Sequence, residues 1–101
     1  MYQTISMPEF EQLVKNEKLA ILDVREQNEY EMGHIEGVQF IPLNTIPTNL
    51  AALNKEQAYY VVCHSGMRSA SACNFLAEQG YQVTNVMGGM SSWRGETVYG
   101  M

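Results

Sequence analysis

Apolar residues fall into two patterns that alternate along the chain: short continuous runs, and longer stretches in which they recur every three or four positions. The first pattern suits strands and the second helices. Tyr2 to Ile5 reads as a short strand. Ser6-Met7-Pro8-Glu9 then fits a capping box, with Ser6 as N-cap, Pro8 in the first turn and Glu9 reaching back. Phe10, Leu13 and Val14 follow at helical spacing and predict a helix from about Met7 to Asn16. Leu19-Ala20-Ile21-Leu22 suits a strand buried on both faces, ending at Asp23-Val24-Arg25.

Glu26 to Met32 reads as a brief acidic helix stopped by Gly33 at the C′ position. Val38 to Ile41 is a third strand, closed by Pro42, and Leu43 to Leu53 holds Pro47 within one or two irregular helical turns. Tyr59 to Val62 is rich in aromatic and β-branched residues and reads as a strand. Ser69 to Gln79 is the clearest helix, with Ala70, Ala72, Cys73, Phe75, Leu76 and Ala77 on its apolar side and Gly80 at its end. Gln82 to Met87 is the last strand, and Gly88-Gly89 turns into a short helix containing Trp93. The segment from Arg94 to Met101 carries no pattern that assigns an element.

Strands alternating with helices over short connections predict one α/β domain built on a mostly parallel sheet. Sheets of this kind place ligands beyond the C-terminal ends of their strands. Asp23 and Cys63 both fall at such ends.

Composition narrows the class. The 101 residues carry 46% hydrophobic and 17% charged side chains, as expected of a folded globular chain. A net charge of −5, with no basic run, argues against nucleic acid or a membrane surface as partner. No apolar run approaches a membrane span, and the first residues lack the basic and apolar stretches of a signal peptide. The expected compartment is the reducing cytoplasm, the expected state a monomer. Cys63 and Cys73 form no disulfide framework, and no Cys/His cluster has zinc spacing.

The chemistry concentrates in Cys63-His64-Ser65-Gly66-Met67-Arg68-Ser69, where an apolar strand ends at a cysteine, four residues containing a glycine follow, and Arg68 and Ser69 open a helix. A free thiol with a pKa near 8.5 is only about 3% thiolate at pH 7, whereas a helix N-terminus can lower the pKa to about 6 and make it roughly 90% thiolate. The plainer alternative for Cys63 is a small buried hydrophobe, but a simple strand-to-helix turn requires neither Gly66 nor Arg68. The Arg68 fork is suited either to an anionic donor or to bracing the turn through a glutamate. Ser65 and Ser69 can donate hydroxyl hydrogen bonds, and Ser69 is also placed as an N-cap. Neighbouring residues on a tight loop point apart, so His64 is expected to face outward and line the substrate. Asp23 and Arg25 are expected to support the loop, with Arg25 forming a local ion pair with Glu29. His34 is expected to bond to backbone, Cys73 to pack on its helix, and Glu26, Glu29, Glu31 and Glu36 to form a solvated face.

Several of these motifs together resemble the single-domain rhodanese-like sulfurtransferases. Asp23-Val24-Arg25, Glu29-Tyr30, Gly33-His34-Ile35-Glu36-Gly37 and Ile41-Pro42 are similar to the family's N-terminal signature. Cys63 to Ser69 resembles its active-site loop in the form C-x-x-G-x-R-S, and Gly88-Gly89-Met90 with Trp93 its C-terminal signature. The likeness runs from about Leu19 to Trp93. It implies a five-stranded, mainly parallel sheet flanked by helices on both faces. It also implies that Cys63 takes a sulfane sulfur from thiosulfate or a persulfide, holds it as a persulfide among the backbone N–H groups of about His64 to Ser69, and passes it to cyanide, a thiol or a protein. Neither metal nor organic cofactor enters that scheme, and a separate protein thiol is a possible partner. The spacing from Cys63 to Arg68 is C-x4-R, shorter than the C-x5-R of related phosphatases, which fits a sulfur atom better than a phosphate. Two other readings stay open: a protein-binding module without turnover, and a phosphatase or arsenate reductase.

Overall fold

The computed structural model describes residues 1–100. Five strands, β1 (Gln3–Ile5), β2 (Ala20–Asp23), β3 (Gln39–Phe40), β4 (Ala58–Val62) and β5 (Gln82–Val86), form one sheet in the order β1-β5-β4-β2-β3. Every pairing in it is parallel. Four helices connect or follow them: α1 (Met7–Asn16), α2 (Gln27–Glu31), α3 (Met67–Glu78) and α4 (Gly89–Ser92). Two 3-10 turns, Leu43–Thr48 and Leu50–Ala52, occupy the irregular stretch that Pro47 interrupts. Among the described residues no helix is long and apolar enough to cross a membrane.

The period of two along each strand divides the core. In β4, Tyr59 and Val61 face one layer with Leu22, Val83 and the α3 residues Ala72, Cys73 and Leu76. Tyr60 and Val62 face the other, with Met7 and Phe10 of α1, Ile21, Val86 and Trp93. The sheet is therefore covered on both faces, which is why β4 and the first three residues of β2 are apolar on both sides rather than alternating.

Local signals account for most boundaries. The Ser6–Glu9 capping box forms, with the Glu9 N–H donating to Ser6 Oγ at 3.3 Å, and α1 spans the expected residues. The helix following the active loop begins at Met67 rather than Ser69, because Gly66 is its N-cap and adopts φ +106°. Ser69 consequently lies within the first turn of α3 and is not its N-cap. Trp93 lies just beyond α4 rather than within it. The segment after Arg94 gains an anchor that its sequence does not announce: His34 and Val98 form an antiparallel bridge, with N–H···O distances of 2.9 and 2.8 Å.

Candidate active site

Cys63 continues the alternation of Tyr59 and Val61, so its side chain turns toward α3 at the C-terminal end of β4. The residue has no exposed surface. The loop then doubles back so that the Gly66 N–H donates to Cys63 Sγ at 3.0 Å. Ser69 Oγ lies 3.3 Å from the same sulfur, where the thiol donates to it. Ser69 in turn donates to Asn85 Oδ1 at 2.5 Å, and Asn85 Nδ2 donates to Gly66 O at 3.3 Å. One buried chain of bonds thus links the sulfur, the first turn of α3 and the end of β5.

Burial pushes the Cys63 thiol up. The Ser69 hydroxyl and the backbone N–H groups of Ser69, Gly66 and Ser65 outweigh it, leaving the pKa below the ordinary thiol value. These are fixed dipoles at the N-terminus of a 12-residue helix, the arrangement that stabilises a thiolate. Cys73 lies one turn past Ser69 on α3, and burial, aided by the charge on Cys63, pushes its pKa up to about 12. Both cysteines are free.

The far wall is α4. The N–H groups of Met90 and Ser91 donate to the carbonyls of Cys63 and His64 at 2.7 and 2.9 Å. Gly89, at φ +53°, approaches so closely that a Cβ there would stand 2.3 Å from Cys63 O. The pair Gly88-Gly89 therefore does more than turn the chain: it lets a helix start clamp the loop's first two peptides. His64, Ser65 and Met67 are exposed on the rim.

Two charged pairs differ from the sequence expectation, and one of them, Arg68–Glu29, braces the loop. Arg25 does not pair with Glu29. It folds onto Asp23 two residues back, with Nε 3.0 Å from Oδ1 and Nη2 2.8 Å from Oδ2, and Nη2 also donates to Gly33 O at 2.8 Å. Both side chains are buried, and a two-residue separation at a strand end lets the short carboxylate meet the guanidinium without crossing solvent. Glu29 instead takes Arg68, with Nη1–Oε1 at 2.6 Å and Nη2–Oε2 at 2.8 Å. It is half-buried rather than part of a solvated face, and its Oε1 also accepts from the Glu26 N–H at 2.9 Å. Of the two roles open to Arg68, the geometry displays the bracing one.

His34 behaves as expected of a structural histidine: Nδ1 lies 2.8 Å from Tyr30 O and the ring stacks on Tyr30 with centroids 3.7 Å apart. The sequence reading left Asn85 unassigned. Its signal was parity, since Asn85 shares a face with Val83 and a polar side chain on that face has to find a buried partner. Among the described residues no group of three or more His, Cys, Asp or Glu side chains could hold a metal ion.

A family model described as a rhodanese-like domain matches residues 6–96. The chain belongs to the rhodanese-like domain family. It is similar to YtwF of Bacillus subtilis, a protein named as a sulfurtransferase, with 41% identity over 86% of this chain and 84% of the relative. It is also similar to the thiosulfate sulfurtransferase GlpE of Coxiella burnetii, with 34% identity over 93% of this chain and 89% of that one. Among solved structures, a rhodanese-like domain protein from Staphylococcus aureus superposes with a TM-score of 0.90 at 36% identity, covering 98% of this chain and 99% of its own. The parallel sheet with helices on both faces is thus the rhodanese-like fold, and the Cys63 loop occupies the C-terminal edge of that sheet.

Proposed function

We propose that this rhodanese-like domain is a sulfurtransferase that carries sulfane sulfur as a persulfide on Cys63. The observation that carries the reading is the convergence of the Gly66 N–H and the Ser69 hydroxyl on Cys63 Sγ, at 3.0 and 3.3 Å, above the N-terminus of α3. In the first step the Cys63 thiolate attacks the outer sulfur of a donor, and the donor's remainder leaves with the bonding pair. The terminal sulfur then sits among backbone N–H groups of the loop residues His64 to Ser69, which stabilise negative charge as a preorganised anion site. In the second step a thiophilic nucleophile, such as cyanide, a small thiol or the thiol of a separate protein, attacks the terminal sulfur and Cys63 returns as thiolate. Covalent storage divides the transfer into two displacements with ping-pong kinetics. Asp23, Arg25 and Arg68 hold the loop in shape, while His64, Ser65 and Met67 line the approach.

Intact mass after incubation with thiosulfate or a small persulfide tests this. The expected result is one added sulfur on the wild-type chain, removed by cyanide or dithiothreitol and absent in Cys63→Ser. No adduct from any donor overturns the proposal, as does an adduct that persists in Cys63→Ser.

A further inference from the structure

Given a persulfide on Cys63, the charges around the loop bear on which donor can load it. Thiosulfate is a dianion and its leaving group, sulfite, departs with two negative charges. An organic persulfide reacts through its protonated form R–S–SH, which brings no charge to the reacting sulfur and releases R–S⁻. The two donors therefore differ in how much they depend on a free cation at the site.

The loop has one cation, Arg68, and Glu29 occupies it. Both Nη atoms meet both carboxylate oxygens, so the planar fork that would grip an oxyanion is already filled. The hydrogen bond from Arg68, together with the Glu26 backbone N–H, overcomes partial burial and lowers the Glu29 pKa to about 2, so the carboxylate is charged and the pair sums to zero. Glu29 is itself fixed, because it lies in the first turn of α2 and closes that helix's capping box. Among the other cations, Arg25 is neutralised by buried Asp23. Lys15 and Lys18 lead into β2 and Lys55 into β4, at the opposite ends of the parallel strands from Cys63. Arg94 borders a separate groove with Ser6, Glu11 and Met87, where its backbone N–H, not its guanidinium, donates to Glu11 at 2.6 Å. Within the Cys63–Ser69 loop itself, what remains for an incoming anion is the ring of backbone dipoles, with exposed His64, Ser65 and Met67 around it.

We propose that Glu29, by neutralising Arg68, sets the donor class: Cys63 is loaded from organic persulfides of low charge in preference to thiosulfate. In the loading step the Cys63 thiolate attacks the outer sulfur of R–S–SH. The S–S bond breaks, R–S⁻ leaves with its electron pair, and the transferred sulfur keeps its proton as the end of Cys63–S–SH. One negative charge enters the step and one leaves it.

The experiment compares kcat/KM for loading Cys63 from benzyl persulfide and from thiosulfate, in wild type, Glu29→Gln and Glu29→Ala, at low and high salt, with thermal unfolding as the fold control. The wild-type chain is expected to favour benzyl persulfide by about tenfold or more, with thiosulfate loading nearly flat in salt. Freeing Arg68 in Glu29→Gln is expected to raise the thiosulfate-to-persulfide ratio by about fivefold, with a salt dependence that screening removes. Glu29→Ala gives the same direction and guards against a poorly folded Gln variant. Equal use of both donors by wild type overturns the inference, as does an unchanged or lowered ratio in both folded variants. A chain loaded by neither donor overturns the persulfide proposal itself.

Discussion

Ser69 Oγ stands 2.5 Å from Asn85 Oδ1, and its single proton points to that amide rather than to Cys63 Sγ, 3.3 Å away on its other side. A thiolate at Cys63 needs the same proton, so Asn85, only 6% exposed, competes with the sulfur for it. The midpoint of a pH titration of the alkylation rate reads this competition. Ser69→Ala and Asn85→Asp are each expected to raise it by about half a unit to one unit, the first by removing a donor and the second by adding a negative charge. Asn85→Leu, which leaves Ser69 with the sulfur as its only acceptor, is expected to lower it. A rise in Asn85→Leu would show instead that the amide acts by holding the Gly66 peptide in place.

The Arg68–Glu29 pair predicts a pH window for stability. The Arg68 hydrogen bond, opposed in part by burial, gives Glu29 a folded pKa of about 2 against an ordinary 4.5. A depressed carboxylate contributes fully above the unfolded value, and the contribution is lost as pH falls through the folded one. Between about pH 5 and about pH 2 the wild-type Tm should therefore fall more steeply than that of Glu29→Gln, the two curves converging at the acid end. Parallel curves would mean that the pair adds nothing in solution.

Asp23 and Arg25 form the buried counterpart, with side chains 0% and 6% exposed. Removing one member strands a buried charge, so Asp23→Asn is expected to lose about 3–5 kcal/mol in urea unfolding. Replacing both, as Asp23→Leu with Arg25→Met, should cost less than the sum of the single changes, because no charge is then left unpaired. Additive losses would assign the effect to packing.

Gly89→Ala is expected to destabilise the fold and the loop together. Its Cβ would meet Cys63 O at 2.3 Å and His64 O at 2.7 Å, backbone atoms that cannot rotate away. With φ at +53° the combined strain is about 2 kcal/mol or more, lowering Tm by about 10 °C. Loading of Cys63 should fall as well, since α4 can no longer close on the Cys63 and His64 carbonyls. A variant with wild-type Tm would show that α4 shifts freely against the loop.

How much of this was legible beforehand depends on how local the determinant is. The capping box at Ser6, the uninterrupted apolar strands and the Cys63–Ser69 spacing act within a few residues, so the α/β order and the candidate nucleophile follow from the chain itself. The exchange of ion-pair partners did not follow. Arg25 and Glu29 are separated by an ordinary intrahelical distance in sequence, yet Arg25 turns back to Asp23 while Glu29 reaches a residue 39 positions away.

The sequence alone therefore determined which segments are strands and helices, and that a cysteine sits at a strand end ahead of a helix. Only the tertiary structure decided what surrounds the sulfur. Parallel pairing of β4 with β5 sets Val61 beside Asn85, and the alternation of side chains turns Asn85 toward Ser69 of α3. Packing of α2 near the loop gives Arg68 to Glu29, and the close approach of Gly89 seats α4 on the loop. These contacts join residues distant along the chain. They depend on register and on which face each strand presents, and both are settled only when the sheet is covered on its two sides.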